Sequence, residues 1–435
     1  MKVRWLLIGL IGAVLGFLLS ACSGGERAES SPTTPPVATP TPSLQVRTFE
    51  ALWSAIQENY IYPDFHGVDW QAVRNEYLIR VEAGLTAEEF HEVLRSMIAR
   101  LPSGAVIWQT RAERIQQAIE DTRTYEGIGA YIAFRATPEP HVVLLSVMPN
   151  SPAEAAGLQA HDSILAIDGI PVQADEGESV VRRIRGPAGS RATLRVRSPG
   201  RPPRDVEVTR EKVIAADVLK GGMIPRAGIG YLLFPPAPYD ELGSDMLNSL
   251  RVLSDERELN GLILDLRIAT IGGSWPLTPL LTLFANGNLG EIYTRTSTQA
   301  ITVEGRDVFN SQRVPLAILI GPDTQGAPEI FAAALQATGR AILVGLPTPG
   351  KVEGITEFAL PDGSRAFIAT SSYRTPDGRE IGRTGVTPDV KVNADWDAVT
   401  LEKDPVREAA VKALQEMPRR ANGASRHPNE SSVQG

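Results

Sequence analysis

Apolar positions along the chain follow three different patterns, and each marks a region of its own. From Leu44 to about Gln117 the spacing is helical. Phe49, Leu52, Trp53, Ile56 and Tyr60 share one face at i, i+3, i+4 intervals, and the run stops near Tyr62-Pro63. Asp69 precedes a second run with Trp70, Val73 and Tyr77. Thr86 is placed to cap a third, carrying Phe90, Val93, Leu94 and Met97, with Glu88 and Glu89 in the first turn where carboxylates suit the dipole. From Thr124 to Arg210 short alternating runs take over, punctuated by Gly, Pro and Asp. Gly127–Phe134, His141–Met148, Ser163–Gly169 and Ala192–Arg197 read as strands. Ser151–Gly157 reads as a one-turn helix with Ser151 as cap and Pro152 first, and Glu178–Gly186 as a second helix.

Beyond Ile214 the apolar runs become continuous, as in strands buried on both faces. Ala227–Phe234 and Gly261–Arg267 flank an amphipathic helix, Pro238–Leu253. Val314–Ile320 is a further buried strand, followed by a turn-rich loop, an alanine-rich helix at Glu329–Thr338, and Gly339 as its stop. A strand at Ala341–Val344 then leads into a Gly/Pro loop ending at Lys351. Strand, helix and strand in this order make a βαβ crossover, which brings the helix N-terminus and a lysine to one edge of a sheet. Glu357–Ile381 reads as a hairpin turned at Pro361-Asp362-Gly363, and Asp404-Pro405 starts a last helix reaching Met417. The expected fold is α/β and multidomain: a helical segment (44–123), a β-rich domain with two short helices (124–210), an α/β core (211–395), a C-terminal helix (396–417) and an unstructured polar tail (418–435).

The N-terminus adds an address. Lys2 and Arg4 precede an apolar stretch, Trp5–Leu19, and Leu19-Ser20-Ala21-Cys22 resembles a bacterial lipobox. Residues 1–21 are then a cleaved signal peptide and Cys22, the single cysteine, carries the lipid. That thiol being consumed, no disulfide, thiol nucleophile or cysteine metal site is expected. Residues 22–43 are a Pro/Ser/Thr-rich tether able to stand the body up to roughly 60 Å off the bilayer. The expectation is an exported protein, lipid-anchored to the bacterial cell membrane. The formal charge of −8 is interspersed, without a basic stripe, which argues against nucleic acid as a partner.

Two stretches resemble known families. Gly127–Ile132, Val147–Val172 and Val180–Ser190 look like the PDZ domain of bacterial periplasmic proteases. That resemblance implies a groove between the first strand and the helix around Val180–Ile184. A peptide C-terminus adds there as a strand beside Tyr131, its carboxylate held by the N–H groups of Gly127, Ile128, Gly129 and Ala130. His161 stands where that domain type commonly has glycine. From Thr48 to Val392, the chain resembles the tail-specific, or C-terminal processing, serine proteases. These use a serine activated by a lysine whose pocket is partly desolvated, with backbone N–H groups for the oxyanion.

Aligned on the family's SASASE loop, the chain reads Thr324-Gln325-Gly326-Ala327-Pro328-Glu329, and 25 residues separate Gly326 from Lys351, the family's interval. The base position is therefore Lys351, and the nucleophile position is Gly326, which has no side chain. Ile355 stands where the family commonly has an orienting glutamine, Pro328 replaces a small residue, and the loop Leu264–Gly273 is one residue longer before its glycine pair. Thr324 is the alternative nucleophile, with Lys351 as its base. His66, His91, His141, His161 and His427 are scattered, with no clustered metal-ligand spacing, so neither metal nor cofactor is expected. The expected function is binding of polypeptide C-termini or unfolded segments by a degenerate member of the family. An active peptidase using Thr324, or a purely structural envelope protein, are the other readings.

Overall fold

A computed structural model describes residues 42–113, 124–214, 217–270, 275–400 and 402–417. The expected signal peptide, Cys22, nearly all of the tether, the glycine pair Gly272-Gly273 and the polar tail lie outside these residues.

The helical segment forms as its caps dictate. Leu44–Asn59 starts with the Ser43 hydroxyl accepting the Val46 N–H, and Trp70–Glu82 starts with Asp69 accepting that of Ala72. Ala87–Ile98 opens with a capping box between Thr86 and Glu89. Their buried faces, including Phe49, Leu52, Trp70 and Met97, pack with Ala366 and Ile368 of a strand from late in the chain, Arg365–Arg374. That strand also pairs with Val106–Gln109, Gly287–Thr294 and Gly354–Ala359. The pairing with Gly354–Ala359 is the expected hairpin, closed by Leu360 N–H on the Ser364 carbonyl at 3.0 Å.

A six-stranded sheet forms the core, ordered Lys220–Ile224, Ile229–Leu233, Gly261–Asp265, Leu316–Ile320, Ile342–Gly345 and Val390–Lys391. The first strand is antiparallel to its neighbour and the rest are parallel. Gly261–Asp265 and Leu316–Ile320 are buried throughout, because helices cover both faces of a parallel sheet. Leu242–Glu256, Leu277–Phe284 and Ala327–Ala337 pack on one face, and Pro405–Glu416 on the other. The crossover around Ala327–Ala337 forms as expected, with Gly339 just past the helix at φ 64.

In chain order the β-rich domain lies between the helical segment and the six-stranded core. Its sheet runs Ala130–Arg135, His141–Val147, Ser163–Ile167, Arg191–Arg197, Arg204–Thr209, so Ala130–Arg135 is an edge strand. The chain enters and leaves through one antiparallel ribbon, Thr124–Gly127 with Glu211–Ile214, which extends past the expected end at Arg210. Two expected elements differ. The run Gly127–Phe134 breaks at Ile128-Gly129, where Gly129 takes φ 80 and a Cβ would overlap the side chain of Ser151. The helix expected over Glu178–Gly186 shrinks to Val181–Ile184 after a 3-10 turn. At its C-terminal end Pro187 has no N–H to give the Arg183 carbonyl, and the buried Arg210 guanidinium donates to the carbonyls of Ile184 at 2.8 Å and Arg183 at 2.9 Å instead.

At the end of strand Gly261–Asp265 the chain buries an ion network. Arg267 donates to Asp265 and to Asp404, each at 2.6 Å, and Tyr231 Oη donates to Asp265 at 2.7 Å. Asp404 simultaneously caps Pro405–Glu416 through the N–H groups of Val406 and Arg407. Removing the cation strands two buried carboxylates. Arg267→Leu is therefore expected to lower the unfolding free energy by about 3–5 kcal/mol in urea titrations. A loss below about 1 kcal/mol would show that the network does not hold the sheet to the helix.

Candidate active site

The loop after strand Leu316–Ile320 carries the expected nucleophile position. Thr324 is fully buried, its hydroxyl donating to the Leu266 carbonyl at 2.8 Å and accepting the Gly321 N–H at 2.9 Å. The next residue, Gln325, donates its N–H to the Ala269 carbonyl at 3.0 Å. These bonds lay the loop along Leu266–Ala269, within the stretch Leu264–Gly273 that is one residue longer than the family's. Gly326 follows as N-cap of Ala327–Ala337 with φ 74 and ψ −130, a conformation essentially confined to glycine. Thr324 and Gly326 are thus two steps apart in one turn but play different parts: one is a buried internal tie, the other the half-buried start of the helix.

Glu329 joins this loop to the lysine loop. Its side chain is buried, with one oxygen accepting the Gly326 N–H at 3.2 Å and the other the Gly350 N–H at 2.7 Å. One carboxylate thus holds the residue before Lys351 beside the nucleophile position. Burial pushes the Glu329 carboxyl up to about 7, against the pull of these donors. Lys351 itself is exposed, whereas a base of the family's type calls for a partly desolvated amine. Two residues on, Glu353 accepts the Tyr62 hydroxyl at 2.7 Å, tying the lysine loop to the helical segment, and Ile355 points away with 47% of its surface exposed.

The β-rich domain reaches the same place. Arg135, the last residue of its edge strand, pairs with Asp323 beside Thr324 and with Asp395 at 2.7 Å. Around it Tyr131, Ala133, Val143 and Leu145 pack on Leu233, Ile268 and Trp396 of the core. Tyr131, expected beside a bound peptide, therefore faces the core, because alternate residues of a strand point to opposite faces. Ile128, Val180 and Ile184 are buried inside the domain's own core, with Ile132 and Phe134 half-buried against them. Gly129 occupies the turn into the edge strand and Ala130 is its first residue, half-buried, while Gly127 ends the entry ribbon. Sequence reasoning missed Arg135 and Asp323 altogether. Their charges gave no local signal, since 188 positions separate them.

Comparison with known proteins places this arrangement. The model of Peptidase family S41 matches residues 228–392, that of the Tricorn protease C1 domain 47–99, and that of the PDZ domain 143–198. A carboxyl-terminal-processing protease of Picosynechococcus sp. is 30% identical over 351 residues, covering 78% of this chain and 80% of that protein. The chain belongs to the C-terminal processing protease family. Carboxyl-terminal-processing peptidase 3 of Arabidopsis thaliana chloroplasts is 28% identical over 422 residues, covering 91% of this chain and 79% of that one. The solved photosystem II D1 C-terminal processing protease shares the fold, with a TM-score of 0.62 at 23% identity over 86% of this chain and 98% of its own.

Set against the family pattern, the strand, the turn, the helix and the loop ending at Lys351 are in place here. The oxygen at position 326 is not. Two measurements check the frame. Thr324→Val leaves the buried Gly321 N–H without its partner and the Leu266 carbonyl with the Ala269 N–H alone, and is expected to cost about 1–3 kcal/mol, while Thr324→Ser, which keeps the hydroxyl, costs less. For Glu329 the sign follows from its raised value. The stability that burial of the neutral acid confers is complete below the ordinary value of 4.5 and is lost as pH rises through about 7. Urea titrations at about pH 5 and 8 should therefore differ by roughly 3 kcal/mol less in Glu329→Gln than in the native chain.

Proposed function

We propose that this chain is a lipid-anchored envelope protein of the C-terminal processing family that has lost catalysis and binds polypeptide C-termini through its PDZ domain. The observation that carries the reading is Gly326. A glycine caps the helix where the nucleophile belongs, and the one hydroxyl of that loop, on Thr324, is buried and spent on backbone partners. Without an oxygen to attack the amide, no acyl-enzyme forms. The exposed Lys351 fits the same reading, because the family's base calls for a partly desolvated pocket.

For binding, support comes from the PDZ match and from Ala130–Arg135 lying at a sheet edge, where an extended peptide can add as a further strand. For anchoring, support comes from the lipobox at Leu19–Cys22. Among the described residues no helix is long and apolar enough to cross a membrane.

Incubated with an unstructured protein at pH 6 to 10, the chain is expected to yield no new fragments by mass spectrometry. Fragments that vanish in Lys351→Ala would overturn the loss of catalysis. Gly326→Ser is expected to restore little activity and to cost about 1–3 kcal/mol of stability, since serine must adopt the positive φ of that turn. In calorimetry, peptides with a free C-terminal carboxylate should bind at least about tenfold more tightly than their amides, a carboxylate being the group the N–H turn receives. Equal affinity, or none, would remove the PDZ part of the proposal.

A further inference from the structure

Three consecutive residues of the core, Asp395, Trp396 and Asp397, each take a different partner from the PDZ domain. Asp395 accepts from Arg135. The Trp396 carbonyl lies 2.7 Å from Nδ1 of His161, and the two rings lie 4.2 Å apart. Asp397 lies 2.9 Å from Nε2 of His141 and accepts the Ser163 hydroxyl at 3.0 Å. Both histidines are buried.

Their hydrogen bonds demand opposite protonation states. His141 has an acceptor on each ring nitrogen, the Glu139 carbonyl at 2.7 Å from Nδ1 and Asp397 from Nε2, so both bonds form only in the imidazolium. His161 needs one proton, on Nδ1, and its ring lies on Trp396, whose ring also receives the Arg267 guanidinium with the guanidinium carbon 5.0 Å from its centre. A second proton there would add a buried charge near Arg267, whose own carboxylates, Asp265 and Asp404, are already paired. His161 also takes φ 77, unusual for a residue with a side chain, so the contact with Trp396 is a reason for it to stand where a glycine would be unstrained.

We propose that these two histidines make docking of the PDZ domain on the core pH-dependent, tightest where His141 is the imidazolium and His161 is neutral. This goes beyond the peptide-binding reading and does not rest on it. The charged groups facing His141 are Asp397 and Arg197, and those facing His161 are Arg267, Asp404 and Asp265. Burial draws His141 down, but Asp397 and the Glu139 carbonyl outweigh it and hold the ring above the ordinary 6.5. Its contribution is complete below 6.5 and is lost as pH rises through the raised value. Burial, then Arg267, hold His161 below 6.5 although the Trp396 carbonyl pulls the other way, so its contribution is complete above 6.5 and lost as pH falls through the lowered value. Docking is therefore strongest close to 6.5 and weakens on both sides.

The test is hydrogen–deuterium exchange of the full chain in detergent, corrected for the intrinsic pH dependence of exchange. Residues 395–399 and 141–147 are expected to exchange about threefold or more faster at pH 5 and at pH 8.5 than at 6.5, while Leu316–Ile320 stays unchanged. His141→Gln should flatten the alkaline limb, and His161→Asn, which tolerates positive φ, the acid limb. A flat profile in the native chain overturns the proposal without any variant. So do limbs that persist in both variants, or a rise shared by Leu316–Ile320, which would mean general unfolding.

Discussion

The guanidinium of Arg267 is buried, and a charge taken out of water at that depth persists only if its partners come with it. Asp265 reaches it from the end of a central strand and Asp404 from the first turn of the C-terminal helix, so one cation fixes where the sheet ends and where that helix begins. Its outer face lies over Trp396. Through that ring the network extends to the PDZ domain, which meets Trp396 with His161 and surrounds it with Val143 and Leu145. The order of dependence runs from the buried ion network to the indole and then to the inserted domain.

This placement decides how the candidate site is built. Leu266 and Ala269, on either side of Arg267, offer the carbonyls on which Thr324 and Gln325 rest, so the loop containing Gly326 is positioned by the same strand end. From the other side Arg135 fixes Asp323. Glu329 then draws in the lysine loop. None of these ties uses a side chain at position 326, which explains how the frame stays intact around a glycine. The loops keep their shape without such a side chain, because the groups that hold them lie at Thr324, Gln325 and Glu329.

The edge strand Ala130–Arg135 runs from the turn at Gly129 to the clamp at Asp323. Its residues Tyr131 and Ala133 pack beside Ile268 and Trp396 of the core, while its outer edge pairs with no other strand among the described residues. One strand thus carries both the docking side of the domain and its free edge.

Much of this was legible from local chemistry. The caps at Thr86 and Ser151 form as read, Asp69 and Asp404 cap the helices they precede, and the crossover from Val314 to Lys351 follows from two apolar runs and a stop at Gly339. Hydrogen bonds and turn preferences within a few residues are properties of the sequence itself, and so is the absence of an oxygen at Gly326. The donor for the carbonyls that end Val181–Ile184 could not be read, because Arg210 reaches them from across the domain. Nor could the inward face of Tyr131, the exposure of Lys351, or the roles of His141 and His161, which seemed scattered until Trp396 and Asp397 met them across 235 and 256 positions. Those features depend on which buried charge finds which partner, and burial exists only once the chain has folded.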